Sequence, residues 1–124
     1  MKTWTSLGAL LGALAVILGA FGAHALKERL DAEQLAWWDT AVTYHMAHAL
    51  ALALFGLACE RGVTSRFAGA LFTLGVVVFS GTLYAMALGA PRWFGAITPI
   101  GGVLLIAGWL LLAWAARGLA AARA

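Results

Sequence analysis

The sequence predicts an all-α integral membrane protein: one four-helix bundle with short loops, spanning residues 1–124, with both termini in the cytoplasm. Three observations carry that prediction. Hydrophobic residues make up 64% of the chain and charged residues only 10%, with a mean hydropathy of +0.93. Soluble domains carry about 25% charged residues, so a soluble globular protein is excluded, and disorder needs the opposite balance. Residues 4–23, 40–58, 67–89 and 97–116 form four uncharged stretches. Each approaches the ~20 residues a helix needs to cross a hydrocarbon core ~30 Å thick while satisfying its own backbone. Finally, the connectors between them are short and leave nothing over for a soluble domain.

The first span opens after Lys2. Together with Ala23-His24-Ala25, its apolar run also fits a secretory signal peptide, but the run exceeds the ~7–15 residues of an h-region, so the segment is read as a retained helix. Gly8, Gly12, Ala15, Gly19, Gly22 and Ala23 gather on one face, and Leu10, Leu14, Ile17 and Phe21 lie opposite. Small residues at that spacing let two backbones approach, which matters where lipid removes the usual hydrophobic drive between helices. The stripe predicts a close helix–helix contact, within the chain or between subunits.

Residues 25–39 read as an amphipathic connector lying in the interface and leading into the second span. Leu26, Leu30 and Trp37 share a face, and Asp31 followed by Gln34 is a variant of the capping box that starts helices. Trp37, Trp38, Trp93 and Phe94 are placed for an interfacial aromatic belt.

On the second span Thr40, Tyr44, His48 and Ala51 align, with His45 at the border of that face, while Val42, Met46, Leu50, Ala53 and Leu57 are expected to meet lipid. On the third, Thr73, Val77, Ser80 and Tyr84 share a stripe. In an antiparallel hairpin, residues with equal index sums sit at equal depth, and the pairs Tyr44/Tyr84 and His48/Ser80 have the same sum. Two polar stripes are thus expected to meet in the outer half of the bilayer. The fourth span presents Gly101, Leu105, Gly108 and Leu112 on one face. Thr98-Pro99 stands at its start, where proline is tolerated. Thr98 either caps that helix or turns its hydroxyl into the bundle.

Orientation follows from Lys and Arg. Lys2, Arg61, Arg66, Arg117 and Arg123 lie on the side of the termini, against Lys27, Arg29 and Arg92 opposite. The excess of basic residues is expected on the cytoplasmic side. The formal net charge of +3 is scattered and makes no nucleic-acid patch. The single cysteine, Cys59, excludes a disulfide framework or a CxxC motif.

Ionisable residues inside a membrane are functional hypotheses by default. The spans hold no carboxylate at mid-depth, which disfavours a proton-coupled small exporter. What remains is a polar set of His24, Tyr44, His48, Ser80, Tyr84 and Thr98, with His45 beside it. Neutral imidazoles bonded to Tyr44, Ser80 or Tyr84 would act as interhelical glue. His45 and His48 with His24 invite a metal or haem reading, but a metal-ion site normally needs three or four convergent ligands, and only His24 and His48, with His45 less favoured, offer themselves. A Ser80–His48 nucleophile fits by depth, but no orienting acid or oxyanion motif accompanies it.

Gly19-Ala20-Phe21-Gly22-Ala23-His24, Tyr44 with His48, Phe79-Ser80-Gly81-Thr82-Leu83-Tyr84, Thr98-Pro99-Ile100-Gly101-Gly102 and Gly108-Trp109 occur in that order along nearly the whole chain. Together they resemble the small bacterial inner-membrane family typified by YgdD and YwdK. The resemblance implies four spans in the plasma membrane and a domain of unknown function, with no activity to carry over. This sequence has His at position 45, where the family's pattern often has Gln. That departure weakens a mechanism using both His45 and His48, and leaves one using His24, Tyr44, His48, Ser80 and Tyr84.

The leading expectation is a non-enzymatic membrane protein whose polar set organises the bundle or receives a small ligand or lipid head group. A metal- or haem-binding protein using His48 and His24 is the second reading, and a small-solute transporter or channel the third. The bilayer is the one implied partner. Bound lipid and a homo-oligomer mated through small-residue faces are compatible with the pattern. No cofactor is specified.

Overall fold

A computed structural model describes residues 2–123, with side chains described over 3–119, so those of Lys2 and Arg123, counted above for orientation, lie outside it. Four helices follow one another: α1 (Lys2–His24), α2 (Ala32–Glu60), α3 (Ala68–Ala87) and α4 (Thr98–Arg123), with a 3₁₀ turn (Arg92–Ala96) leading into the last. There is no strand among the described residues. Each helix contains a window long and apolar enough to cross a membrane.

The ends of the helices follow local chemistry. The Asp31 carboxylate accepts the Gln34 backbone N–H at 2.8 Å while the Gln34 side chain accepts the Asp31 N–H at 3.0 Å, a reciprocal capping box that starts α2. Past the end of α2 the chain reverses at Gly62 (φ +94°), and past α3 at Gly89 (φ +111°). Residues with a Cβ rarely adopt either conformation.

One boundary differs from the sequence reading. The second span's helix starts inside the segment 25–39: α2 begins at Ala32 and runs 29 residues unbroken. Trp38, Ala41, His45, His48, Leu52 and Phe55 are all buried at helical spacing. The same inward stripe therefore starts before the uncharged span does. Trp38 is accordingly no belt residue: it is 3% exposed, and its Nε1–H donates to the Leu18 carbonyl of α1 at 2.9 Å.

Helices that are neighbours in sequence are neighbours in space: α1 on α2, α2 on α3, α3 on α4. The small-residue stripe of α1 faces α2 of the same chain, except for Ala23, which is exposed. A Cβ on Gly8 would collide with the Ala53 main chain, Gly19 lies under Val42, and Gly22 receives the Trp38 ring. Ala15 is fully buried, and Gly12 faces Ala49. Leu10, Leu14, Ile17 and Phe21 stay on the outside. Val42 and Ala53 thus meet α1 rather than lipid. As α2 is flanked by both α1 and α3, its protein-facing arc is wider than one stripe.

On the other side Gly101 abuts the Phe79 main chain, Leu105 fills the space over Gly75, and the Phe72 ring lies against Gly108. Leu112 packs at the edge of the same core. That core, around Leu52, Phe55, Val63, Phe72, Val76 and Leu105, sits towards the end of the bundle that carries the termini. Trp4 closes it, packing on Phe55 at a ring-centroid distance of 6.5 Å.

Candidate functional site

The polar residues lie in the half of the bundle nearer the 25–31 and 88–97 connectors, and they form separate interhelical bonds instead of one cluster. His45 and His48 are three residues apart on α2, so their side chains diverge by roughly 60°. His45 turns to α3, where its Nδ1 lies 2.9 Å from the Tyr84 hydroxyl. His48 turns to α4. Its Nδ1 is 2.7 Å from the Tyr44 carbonyl, one turn back on α2, and its Nε2 is 3.0 Å from the Trp109 Nε1–H.

The His48 contacts determine its proton. A carbonyl only accepts, so Nδ1 carries the hydrogen. The indole N–H only donates, so Nε2 offers its lone pair. The ring is therefore a neutral imidazole with both nitrogens engaged. Tyr44 stacks on it at 5.9 Å and 11°, with the Phe72 and Trp109 rings tilted around it. Tyr44 itself is 44% exposed and touches the ring of Phe79.

Ser80 is buried, but it does not reach His48. Its hydroxyl donates to the Ala41 carbonyl at 2.8 Å, tying α3 to α2. A Ser80–His48 dyad is thus not formed. Thr98 does not cap α4. Its hydroxyl faces into the bundle and pairs with Thr82 on α3 at 2.6 Å. His24 is exposed at the last turn of α1, apart from these bonds. No group of three or more His, Cys, Asp or Glu side chains that could hold a metal exists among the described residues. His48 has no nitrogen free for an ion, so the residues present do not fit a His24–His48 metal or haem site.

Two members of this network escape the sequence reading as bonding partners. Trp109 sits in an apolar helix whose neighbours Leu110 and Trp114 face outward, and only its N–H marks it. Trp38 reads as interfacial because it stands beside Trp37 and Asp39. At the connector end Arg92 pairs with Glu33 and lies over the Trp37 ring at 5.5 Å, joining the 3₁₀ turn to the start of α2.

Comparison with known proteins agrees with this architecture. Residues 18–102 match a family described as "Protein of unknown function (DUF423)". The chain belongs to this family. It is 50% identical over 115 residues to a UPF0382 membrane protein of Staphylococcus saprophyticus, covering 90% of this chain and 94% of that relative. YwdK of Bacillus subtilis, also named a UPF0382 membrane protein, is 43% identical over 119 residues, covering 94% of this chain and 97% of its own length. The UPF0382 inner membrane protein YgdD of Escherichia coli is 39% identical over 106 residues, with 84% and 81% covered. No solved structure matches the chain.

Proposed function

We propose that the chain is a non-enzymatic protein of the bacterial inner membrane, with both termini cytoplasmic, and that its His/Tyr/Ser/Trp bonds lock the four helices into one arrangement. The observation that carries this reading is the state of His48. Each of its nitrogens is committed to a hydrogen bond inside the bundle, one to a main-chain carbonyl and one to an indole N–H, so this ring has no free lone pair to ligate a metal or activate a nucleophile. Ser80, Trp38 and the Thr82–Thr98 pair serve in the same way at the other helix seams. Every packed pair of helices has at least one such bond, and each is worth roughly 0.6 kcal/mol, up to ~1.7, inside a membrane.

The name of the YgdD relative supports the inner-membrane location. The basic residues at the end that holds the termini support the orientation. The test is the melting temperature of purified protein in mild detergent. His48→Ala lowers it while leaving secondary structure intact, and added transition-metal ions change neither the wild type nor the variant. An unchanged melting temperature would remove the locking role. Cys59, at the same end as the termini, reports orientation: an impermeant maleimide labels it in inverted vesicles and not in intact cells.

A further inference from the structure

His48 has both ring nitrogens engaged, and His45 does not. His45 is 3% exposed, yet its Nε2 has no hydrogen-bond partner among the described residues. The Leu11 carbonyl of α1 faces the ring but is not in hydrogen-bonding geometry with it. The other nitrogen, Nδ1, lies 2.9 Å from the Tyr84 hydroxyl, and that contact places the proton. If Nδ1–H donated, the phenol O–H and the Nε2 lone pair would both be left unmet. If the phenol donates to Nδ1, only the Nε2–H is unmet. Each unmet buried polar group costs free energy, so the second arrangement holds. The bundle therefore keeps one orphan N–H donor in its interior.

That donor belongs to a cleft. α1 and α3 both pack on α2 and touch each other little, so a cleft runs between them with α2 as its floor. Leu11, Leu14 and Leu18 wall it on α1, Val76 and Val77 on α3, and His45 forms part of the floor. It opens on the outer surface of the bundle, where Leu14 and Val77 are exposed. Nε2 itself is covered by its neighbours, so a molecule in the cleft reaches it when a lining leucine changes rotamer. A water needs two to four polar partners and only about 10–15 Å³ of such space. The cleft has about 240 Å³, and its other polar groups are engaged, Ser80 with Ala41 and Tyr84 with His45. Water alone does not account for it.

An orphan donor calls for an acceptor. A carboxylate or phosphate would bring a charge into hydrocarbon, which is costly, and a hydroxyl would bring a second unmet donor. A neutral carbonyl oxygen on an apolar body does neither. A bilayer has two sources of such an oxygen, the acyl esters of phospholipids and quinones dissolved among the acyl chains. Depth separates them. The uncharged stretch of α2, residues 40–58, is centred on Ala49, so His45 stands roughly 6 Å from mid-span at a rise of about 1.5 Å per residue. Esters lie at the edge of a hydrocarbon core ~30 Å thick, roughly 15 Å from its middle. A quinone ring reaches the depth of His45, and an ester does not.

We propose that the cleft between α1 and α3 binds a membrane quinone, one ring carbonyl accepting a hydrogen bond from the Nε2–H of His45. The full-length protein, with isotope-labelled histidine, is placed in nanodiscs of diether phospholipid, which has no ester carbonyl. It is titrated with a prenylated naphthoquinone while the histidine nitrogen resonances are followed by NMR. The His45 signals are assigned by their loss in His45→Gln. The expected result is a proton on Nε2 and a saturable shift of that resonance, with the His24 and His48 resonances unmoved. The prenylated naphthalene, with the same tail but no carbonyl, does not produce the shift. His45→Leu weakens quinone binding, measured by calorimetry, about tenfold, the effect of one lost hydrogen bond. Gly81→Leu adds a side chain to the cleft where a Cβ meets nothing within 4 Å. It abolishes binding without lowering the melting temperature, independently of any effect of His45→Leu on folding. An Nε2 without a proton would overturn the proposal, as would no shift or an equal shift with the naphthalene. So would quinone binding unaltered by both substitutions. A shift of Nε2 on exchanging diether for ester phospholipid, with no quinone added, would overturn it in favour of a lipid ester.

Discussion

The two ends of the bundle are held together by different physics. Towards the termini and the middle loop, contacts depend on shape: Phe55 and Phe72 are fully buried, and Trp4 packs over Gly69 and onto Phe55. Towards the other two connectors they depend on direction, through His48–Trp109, His45–Tyr84, Ser80–Ala41, Trp38–Leu18 and Thr82–Thr98. The contrast reflects the solvent. Lipid gives little reward for burying another apolar side chain, so helices there cohere through close packing or through hydrogen bonds that lipid cannot replace. The end with the termini relies on the first, and the connector end adds the second to close contacts such as Gly22–Trp38 and Gly101–Phe79.

Substitutions at the packed contacts should therefore do the most damage. Gly8→Leu drives a side chain into the Ala53 main chain and is expected to cost about 3 kcal/mol, the upper end for overpacking. Chemical denaturation in detergent measures it. The control is Gly12→Ala on α1, where the new methyl meets Ala49 at an ordinary 4.0 Å and helix propensity favours alanine by up to ~1 kcal/mol. If both cost the same, shape is not what holds this part of the molecule. Phe55→Ala should also cost about 3 kcal/mol through the cavity it leaves, which surrounding helices refill only in part.

The directional end should yield smaller losses. Trp38→Phe keeps a ring against Tyr84 and Gly22 but loses the bond to Leu18, for an expected ~1 kcal/mol. Ser80→Ala, which frees the Ala41 carbonyl from its second helix, is expected near ~0.6 kcal/mol. A double-mutant cycle between His48→Ala and Trp109→Phe isolates their bond. A coupling indistinguishable from zero would mean that the connector end, too, is held by packing.

These two kinds of contact are not equally readable from sequence. Small residues at 3.6-residue spacing declare a close approach, so the α1 stripe and the Gly101–Gly108 face of α4 are legible from the residues alone. Which helix each meets is not encoded in the stripe itself. The polar residues are also visible, because histidine and serine stand out in a hydrocarbon span. Their pairing is not. Equal index sums give depth along the membrane but not rotation about the helix axis, and rotation sends His45 to Tyr84 and His48 to Trp109. Ser80 finds a main-chain carbonyl, an acceptor that every residue carries and no residue type announces. Trp38 misleads because its neighbours are polar, although its spacing with Ala41 and His45 continues the buried face.

The smallest effect belongs to the ion pair at the connector end, and it tests where the directional end stops. Arg92 and Glu33 are 77% and 52% exposed, a setting in which such pairs contribute about 0–1 kcal/mol and are screened by salt. Arg92→Gln should therefore change stability by less than about 0.5 kcal/mol, and the difference from wild type should shrink further in high salt. The Arg92 guanidinium also lies over the Trp37 ring, a contact that salt weakens less when water is kept from it. A loss above ~1 kcal/mol that persists in high salt would mean that the 3₁₀ turn and the start of α2 form part of the locked structure. A loss within the expected range leaves the five interhelical bonds named above as the whole of it, because α2 is already started by its own capping box and does not depend on Arg92 to begin.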